Sequence, residues 1–175
     1  MMMTMSHRSS RARALLTVFL AMLVVALTRS GYARPMEGRL GIGGQTESGL
    51  LGQTLSLRYW VSDLGLQALA GFAAKSSTPT EVGFREYRIG VRLLYSITRT
   101  RLTNLVAGVG IATFIRDSKE ESENPLFLDL FVSPELFLGD NFAVSAQVSF
   151  SIEFASSPRR SIGSAAWGAG FHYYF

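Results

Sequence analysis

Phe142-Ala-Val-Ser-Ala-Gln-Val-Ser-Phe-Ser-Ile-Glu-Phe154 decides the fold. Taken alternately it separates into two sets. Phe142, Val144, Ala146, Val148, Phe150, Ile152 and Phe154 are all apolar; Ser145, Gln147, Ser149, Ser151 and Glu153 lie between them. A period of two is the pattern of an extended strand whose faces meet different surroundings. The run is long beside the roughly 5–6 residues of an ordinary soluble strand. It suffices for the roughly 9–11 residues that a tilted strand needs to cross a bilayer.

The same alternation extends over the rest of the chain from residue 38 onward. Segments 38–45, 53–61, 64–74, 84–97, 102–115, 126–138, 142–154 and 162–175 carry it, and no stretch between them shows a sustained helical period. Each segment presents an apolar stripe that carries no charge, as in Leu55, Leu57, Tyr59 and Val61, or Tyr87, Ile89, Val91, Leu93 and Tyr95. The other face holds Arg39, Arg58, Glu86, Arg88, Arg92, Asp129, Glu135, Glu153 and His172, with amides, serines and most of the glycines between them. Four arginines there match four carboxylates.

The connections alternate in length. Ser62-Asp63, Thr98–Arg101 and Gly139-Asp140-Asn141 are tight and polar, whereas Lys75–Gly83, Arg116–Pro125 and Ala155–Ser161 are longer and rich in Ser, Glu, Pro and Arg. Thr46–Leu51 reads as a fourth, shorter loop. Antiparallel strands whose two ends face different compartments give such a rhythm.

The N-terminus has a different character. Arg8, Arg11 and Arg13 precede Ala14–Leu27, an apolar run of 14 residues that is short of the roughly 20 a spanning helix needs. Gly31 and Ala33 then provide a small-x-small exit. A basic start, a short apolar core and such an exit form a secretory signal, so residues 1–33 are expected to be removed after Ala33 and residues 34–175 to form the folded domain. Removal takes Arg8, Arg11, Arg13 and Arg29 and no acid. The 17 basic residues of the chain fall to 13, equal to the 13 acids. The basic pI of about 9.8 is thus a property of the signal, and nucleic acid is not an expected partner. With no cysteine, neither a disulfide scaffold nor a thiolate metal site is available.

Alternation alone leaves open which face points inward. A soluble ligand-binding barrel turns the apolar face in; a membrane barrel turns it out to lipid. Three features favour the second. The apolar face excludes every charge. The polar face is charge-balanced, as ionised groups in a narrow, poorly hydrated interior must be. Aromatics Tyr59, Phe72, Tyr87, Tyr95, Phe142 and Phe154 sit near the ends of the apolar stripes, where amphipathic rings meet headgroups. Lipid offers no hydrogen bonds, so the sheet must close. The expected fold is all-β, an eight-stranded antiparallel up-and-down transmembrane β-barrel, with a bore filled by side chains.

The last segment resembles a known pattern. Trp167, Ala169, Phe171, Tyr173 and a terminal Phe175 alternate as in the closing strand of small bacterial outer-membrane β-barrel proteins, the eight-stranded OmpA/OmpX-type class. That resemblance implies an outer-membrane location, outer-membrane lipid as surroundings, and recognition of Trp167, Phe171, Tyr173 and Phe175 by the barrel-assembly machinery. It also implies that the tight turns are periplasmic and the long loops external.

Catalytic chemistry finds little support in the residues. Beyond the signal there is one histidine, His172, three residues from the end, and the loop serines 156, 157 and 161 have no adjacent base. The acidic loop with Asp117, Glu120, Glu121 and Glu123 lacks the spacing of a calcium loop and reads as solvated surface. Gly41-Ile-Gly43-Gly44 and Gly108-Val-Gly110 lie inside strands, not between strand and helix, so neither is a phosphate loop. No enzyme activity, cofactor or metal is expected. The expected role is envelope-structural or a surface interaction through the outer loops, with a narrow channel for small solutes as the alternative. Nothing in the sequence fixes an oligomeric state.

Overall fold

The computed structural model describes residues 35–48, 52–75, 84–117, 125–154 and 164–175. The expected signal and the greater part of the three long loops lie outside the described residues.

Eight strands follow in chain order: β1 Leu40–Glu47, β2 Gln53–Val61, β3 Leu64–Lys75, β4 Phe84–Arg99, β5 Thr103–Asp117, β6 Leu126–Phe137, β7 Phe142–Phe154 and β8 Ser164–Tyr174. Each pairs antiparallel with its neighbours in sequence, and β8 pairs with β1 to close the barrel. Closure runs through seven residue pairs, from Gly41 with Tyr174 to Glu47 with Gly168.

Alternation in the sequence becomes alternation across the wall. Leu55, Leu57, Tyr59 and Val61 of β2 are exposed, while Thr54, Ser56, Arg58 and Trp60 between them are buried. The other strands divide similarly except where β5 and β6 pair near the tight turns, at Thr103–Val106 and Ser133–Glu135, where successive residues are all buried. The outer surface is a nearly continuous apolar sheath from Leu64, Val91 and Ile111 round to Val148 and Phe171. Exposing so large an apolar surface to water is unfavourable, whereas acyl chains cover it without that cost.

Two departures from the expected boundaries matter. β1 begins at Leu40 and runs to Glu47, two residues later than its pattern implied. Glu37 and Gly38 form a turn instead, with Gly38 at φ +74° and its N–H donating to Trp60 O at 2.9 Å. Glu47 therefore belongs to the wall, not to a loop, and its side chain is buried. In β4 and β5 the register slips between Ser96 and Thr98, a bulge of the kind that sheets place near their ends.

The end of the bore that carries the tight turns is closed by an apolar cluster of Met36, Trp60, Leu94, Val106, Phe137 and Tyr174, each 0–2% exposed. Met36 precedes β1, so the segment leading into the barrel supplies part of its floor.

The β1–β8 seam is tightest at Gly43. A Cβ built on Gly43 stands 1.8 Å from the backbone oxygen of Phe171 on β8. Backbone cannot yield as a side chain tip can. Gly43→Ala is expected to abolish the compact form that migrates fast on a gel without heating; a folding yield equal to that of the unaltered chain contradicts the tight seam.

Candidate functional site: the polar bore

Side chains on the inner face form a polar column, arranged in tiers. Nearest the apolar floor, Arg58 touches Glu135 through Nη1 and Oε1, with both side chains shielded from solvent. Glu135 also accepts hydrogen bonds from Asn104 Nδ2 at 3.1 Å and from Tyr174 Oη at 3.2 Å. Asn104 in turn accepts from Ser96 Oγ at 2.6 Å. Four strands thereby converge on one carboxylate.

The middle tier centres on Arg92. Its Nη2 lies 2.6 Å from Glu47 and also touches Asp129, so one guanidinium holds two carboxylates. Glu47 accepts further bonds from Gln45 Nε2 at 3.1 Å and from Gln147, while Arg92 Nη1 donates to Gln147 Oε1 at 3.2 Å. Ser151 Oγ donates to Asp129 at 3.1 Å. The Phe131 ring lies beneath the guanidinium, 4.6 Å from its centre. Gln67 extends the middle tier toward the floor by donating to Gln45 Oε1 at 2.9 Å and to Ser56 Oγ at 2.7 Å.

Toward the long-loop end, Glu86 and Arg88 pair at 2.6 Å on the same strand. Glu153 lies half-buried at that end of β7. Arg39 does not join the column. It precedes β1, is half-buried at the rim, and donates to Asp140 O at 2.9 Å in the turn between β6 and β7. The balance of four arginines against four carboxylates is accordingly not the arrangement found: Arg39 leaves the set and Glu47 enters it. Sequence reading misses Glu47 because it ends the first segment at Gln45 and takes residues 46–51 as a loop, whereas β1 runs to Glu47.

His172 has a partner that spacing did not disclose. Its Nε2 lies 2.8 Å from Ser56 Oγ, across 116 residues of chain. A serine beside a histidine invites comparison with an activated nucleophile. Here the histidine is 0% exposed, its Nδ1 has no hydrogen-bond partner among the described residues, and no carboxylate orients the ring. The pair sits above the apolar floor, and the geometry supports packing, not turnover.

The outer wall carries the expected aromatics. Phe72, Tyr87, Phe154 and Trp167 occupy the half toward the long loops. Tyr59, Tyr95, Phe142, Tyr173 and Phe175 occupy the half toward the tight turns, and Phe171 lies between. Phe72 and Tyr87 pack with ring centres 5.2 Å apart, Tyr173 and Phe175 at 5.0 Å, and Phe142 and Phe171 at 6.2 Å.

No protein-family model and no curated protein matches the sequence. Solved structures do match. The chain is similar to the crystal structure of Neisserial surface protein A, with 15% identity over 78% of this chain and 95% of that one, at a TM-score of 0.51. It is also similar to the N-terminal β-barrel domain of Pseudomonas aeruginosa OprF, with 13% identity over 79% and 98% of the respective chains, at a TM-score of 0.55. At such identities the likeness is one of fold. The fold is that of the small bacterial outer-membrane β-barrels: eight strands, antiparallel, closed, with an apolar outer wall.

Removal of one member of a buried pair strands the other. Arg92→Met leaves Glu47 and Asp129 without their shared cation and is expected to destabilise the barrel by about 3–5 kcal/mol. Urea unfolding in detergent micelles measures it. Arg58→Met combined with Glu135→Leu, which removes both charges of the lower tier, is expected to cost less than either substitution alone; additive losses contradict the pairing.

Proposed function

We propose that this protein is a closed, non-enzymatic barrel of the bacterial outer membrane that contributes to envelope integrity or to a surface interaction made by its outer loops. The observation that carries this reading is the state of the bore. Two ion-paired tiers lie above an apolar floor of Met36, Trp60, Leu94, Phe137 and Tyr174. An eight-stranded barrel has an interior just wide enough for side chains. Here they fill it, so the surface left for interaction is the wall and the outer rim.

In the same reading the N-terminal segment directs export and is cleaved after Ala33. Met36 then becomes the third residue of the mature chain, and its burial in the floor gives the new terminus a structural task. Tyr173, Phe171 and Trp167 on the outer wall of β8, with Phe175 just beyond it, are the residues offered to the barrel-assembly machinery. Surrounding lipid is the remaining partner.

Two measurements test this. N-terminal sequencing of protein from outer-membrane fractions is expected to begin at Arg34; a start at Met1 contradicts export by cleavage. In planar bilayers the purified barrel is expected to leave the baseline current unchanged. Reproducible unitary conductance steps favour instead the narrow channel, with the Arg92 tier as its constriction.

A further inference from the structure

The rim of the barrel is uneven, and its low side differs from the rest of the wall. A row of paired residues that starts at Gly41 passes through Arg58, Gln67, Arg92, Gly110, Asp129 and Ser151 to Ser164. Ser164 lies four residues beyond Gly168, the β8 partner of Glu47, so one circuit climbs ten residues relative to β1. A stagger of that size over eight strands corresponds to a tilt of about 40°, which makes each residue worth about 2.5 Å of height.

With that slope removed, all eight strands start at nearly the same level on the tight-turn side. They do not end together. The β1–β2 hairpin, whose strands have 8 and 9 residues against 16 and 15 for β4 and β5, stops on average about 10 Å below the other outer strand ends. β3 continues five residues past Ala70, the last β3 residue paired with β2, and β8 begins four residues before Gly168. Between them is a notch.

Side-chain chemistry follows the notch. On β4 the apolar stripe runs from Tyr87 to Ile97, a height of about 25 Å, which matches the apolar band of outer-membrane barrels. On β2 it runs only from Leu55 to Val61, about 15 Å. Above Leu55 the outward, exposed residues are Thr46, Ser48 and Gln53. Trp167, whose indole suits the headgroup level, stands on neighbouring β8 at the height of Gln53, and its backbone N–H donates to Ser48 Oγ of the hairpin at 3.0 Å. Polar groups and the interfacial aromatic thus descend together on this one side.

Below the notch the wall is hollowed. A trough of about 1370 Å³ runs across β7, β8, β1, β2 and β3. Its outward floor is small, with Gly44, Ala70, Ala146 and Ala169, and rings of Phe72, Phe142, Trp167 and Phe171 stand around it.

We propose that this sector binds outer-leaflet lipid in a locally thinned bilayer: headgroups descend into the notch to Gln53, Thr46 and Ser48, and acyl chains lie in the trough beneath. The inference rests on the membrane reading above. A bilayer of uniform thickness would press acyl chains against Gln53 and against the unpaired edges of β3 and β8, whose backbone groups need hydrogen-bonding partners. Thinning by about 10 Å on one side removes that conflict, at a modest cost per ångström.

The chain has no cysteine, so single nitroxide labels can be placed at will. Gln53→Cys and Ile111→Cys carry labels at the same height on opposite sides of the barrel. The full-length folded protein is reconstituted in dioleoylphosphatidylcholine vesicles, and collision rates with oxygen and with a water-soluble nickel chelate are measured. The label at 111 is expected to meet oxygen and not nickel. The label at 53 is expected to meet nickel several-fold more often than the label at 111. Oxygen-only behaviour at both positions overturns the notch and leaves the membrane reading standing. Nickel access at 111 overturns both. A label at 53 shielded from both reagents overturns lipid as the occupant, and spin–spin broadening there assigns the face to a second copy of the chain.

Discussion

Backbone hydrogen bonding in a solvent that supplies none is the constraint from which the rest follows. Each N–H and C=O left open to hydrocarbon costs several kcal/mol, so a sheet that crosses lipid must pair its first strand with its last. Seven residue pairs between β1 and β8 meet that demand, and Gly43 lets the two strands approach closely enough to do so. Once closed, an eight-stranded cylinder has an interior the width of its side chains. The two faces of every strand then receive opposite instructions: the outer must be apolar, and the inner must fill a narrow space without leaving a charge alone.

Filling that space with arginine and carboxylate is not the most stabilising choice. Replacing a buried pair by apolar groups of similar volume is often neutral or favourable. Discrimination is the gain. A strand slipped by one residue would carry its charges to the outer wall and its leucines into the bore. Arg92 held by Glu47 of β1 and Asp129 of β6, and Arg58 held by Glu135 of β6, fix positions across the cylinder that neighbouring strands alone do not connect. The polar column thereby specifies register and strand order together, while the apolar cluster around Trp60 closes one end.

The wall was legible in the sequence because period two is a local property. β2 and β7 occupy the residues their alternation marks, and the exposed side chains are those of the apolar set. Cross-barrel partners were not legible, since Arg58 and Glu135 stand 77 residues apart and Ser56 and His172 116 apart, and alternation is silent on which inward groups meet. Glu47 escaped for a different reason. The start of β1 is set by a tertiary bond from Gly38 N–H to Trp60 O, and that two-residue delay carries Glu47 into the bore. Arg39, outside the strand for the same reason, is drawn to the rim by the carbonyl of Asp140. The notch lay hidden in strand lengths, whose meaning appears only after the stagger of the barrel is known.

Both the inner and the outer surface contain large apolar residues, the inner ones packed against protein and the outer ones against lipid. Photolabelling with a diazirine-bearing phospholipid, read by peptide mass spectrometry on the reconstituted barrel, separates the two sets directly. Adducts are predicted on Leu57, Val91, Val109, Val132 and Val148 and not on Trp60, Leu94, Val106 or Phe131. Adducts on Val106 and Phe131 with Val91 and Val148 unlabelled would contradict the assignment of the apolar wall to lipid.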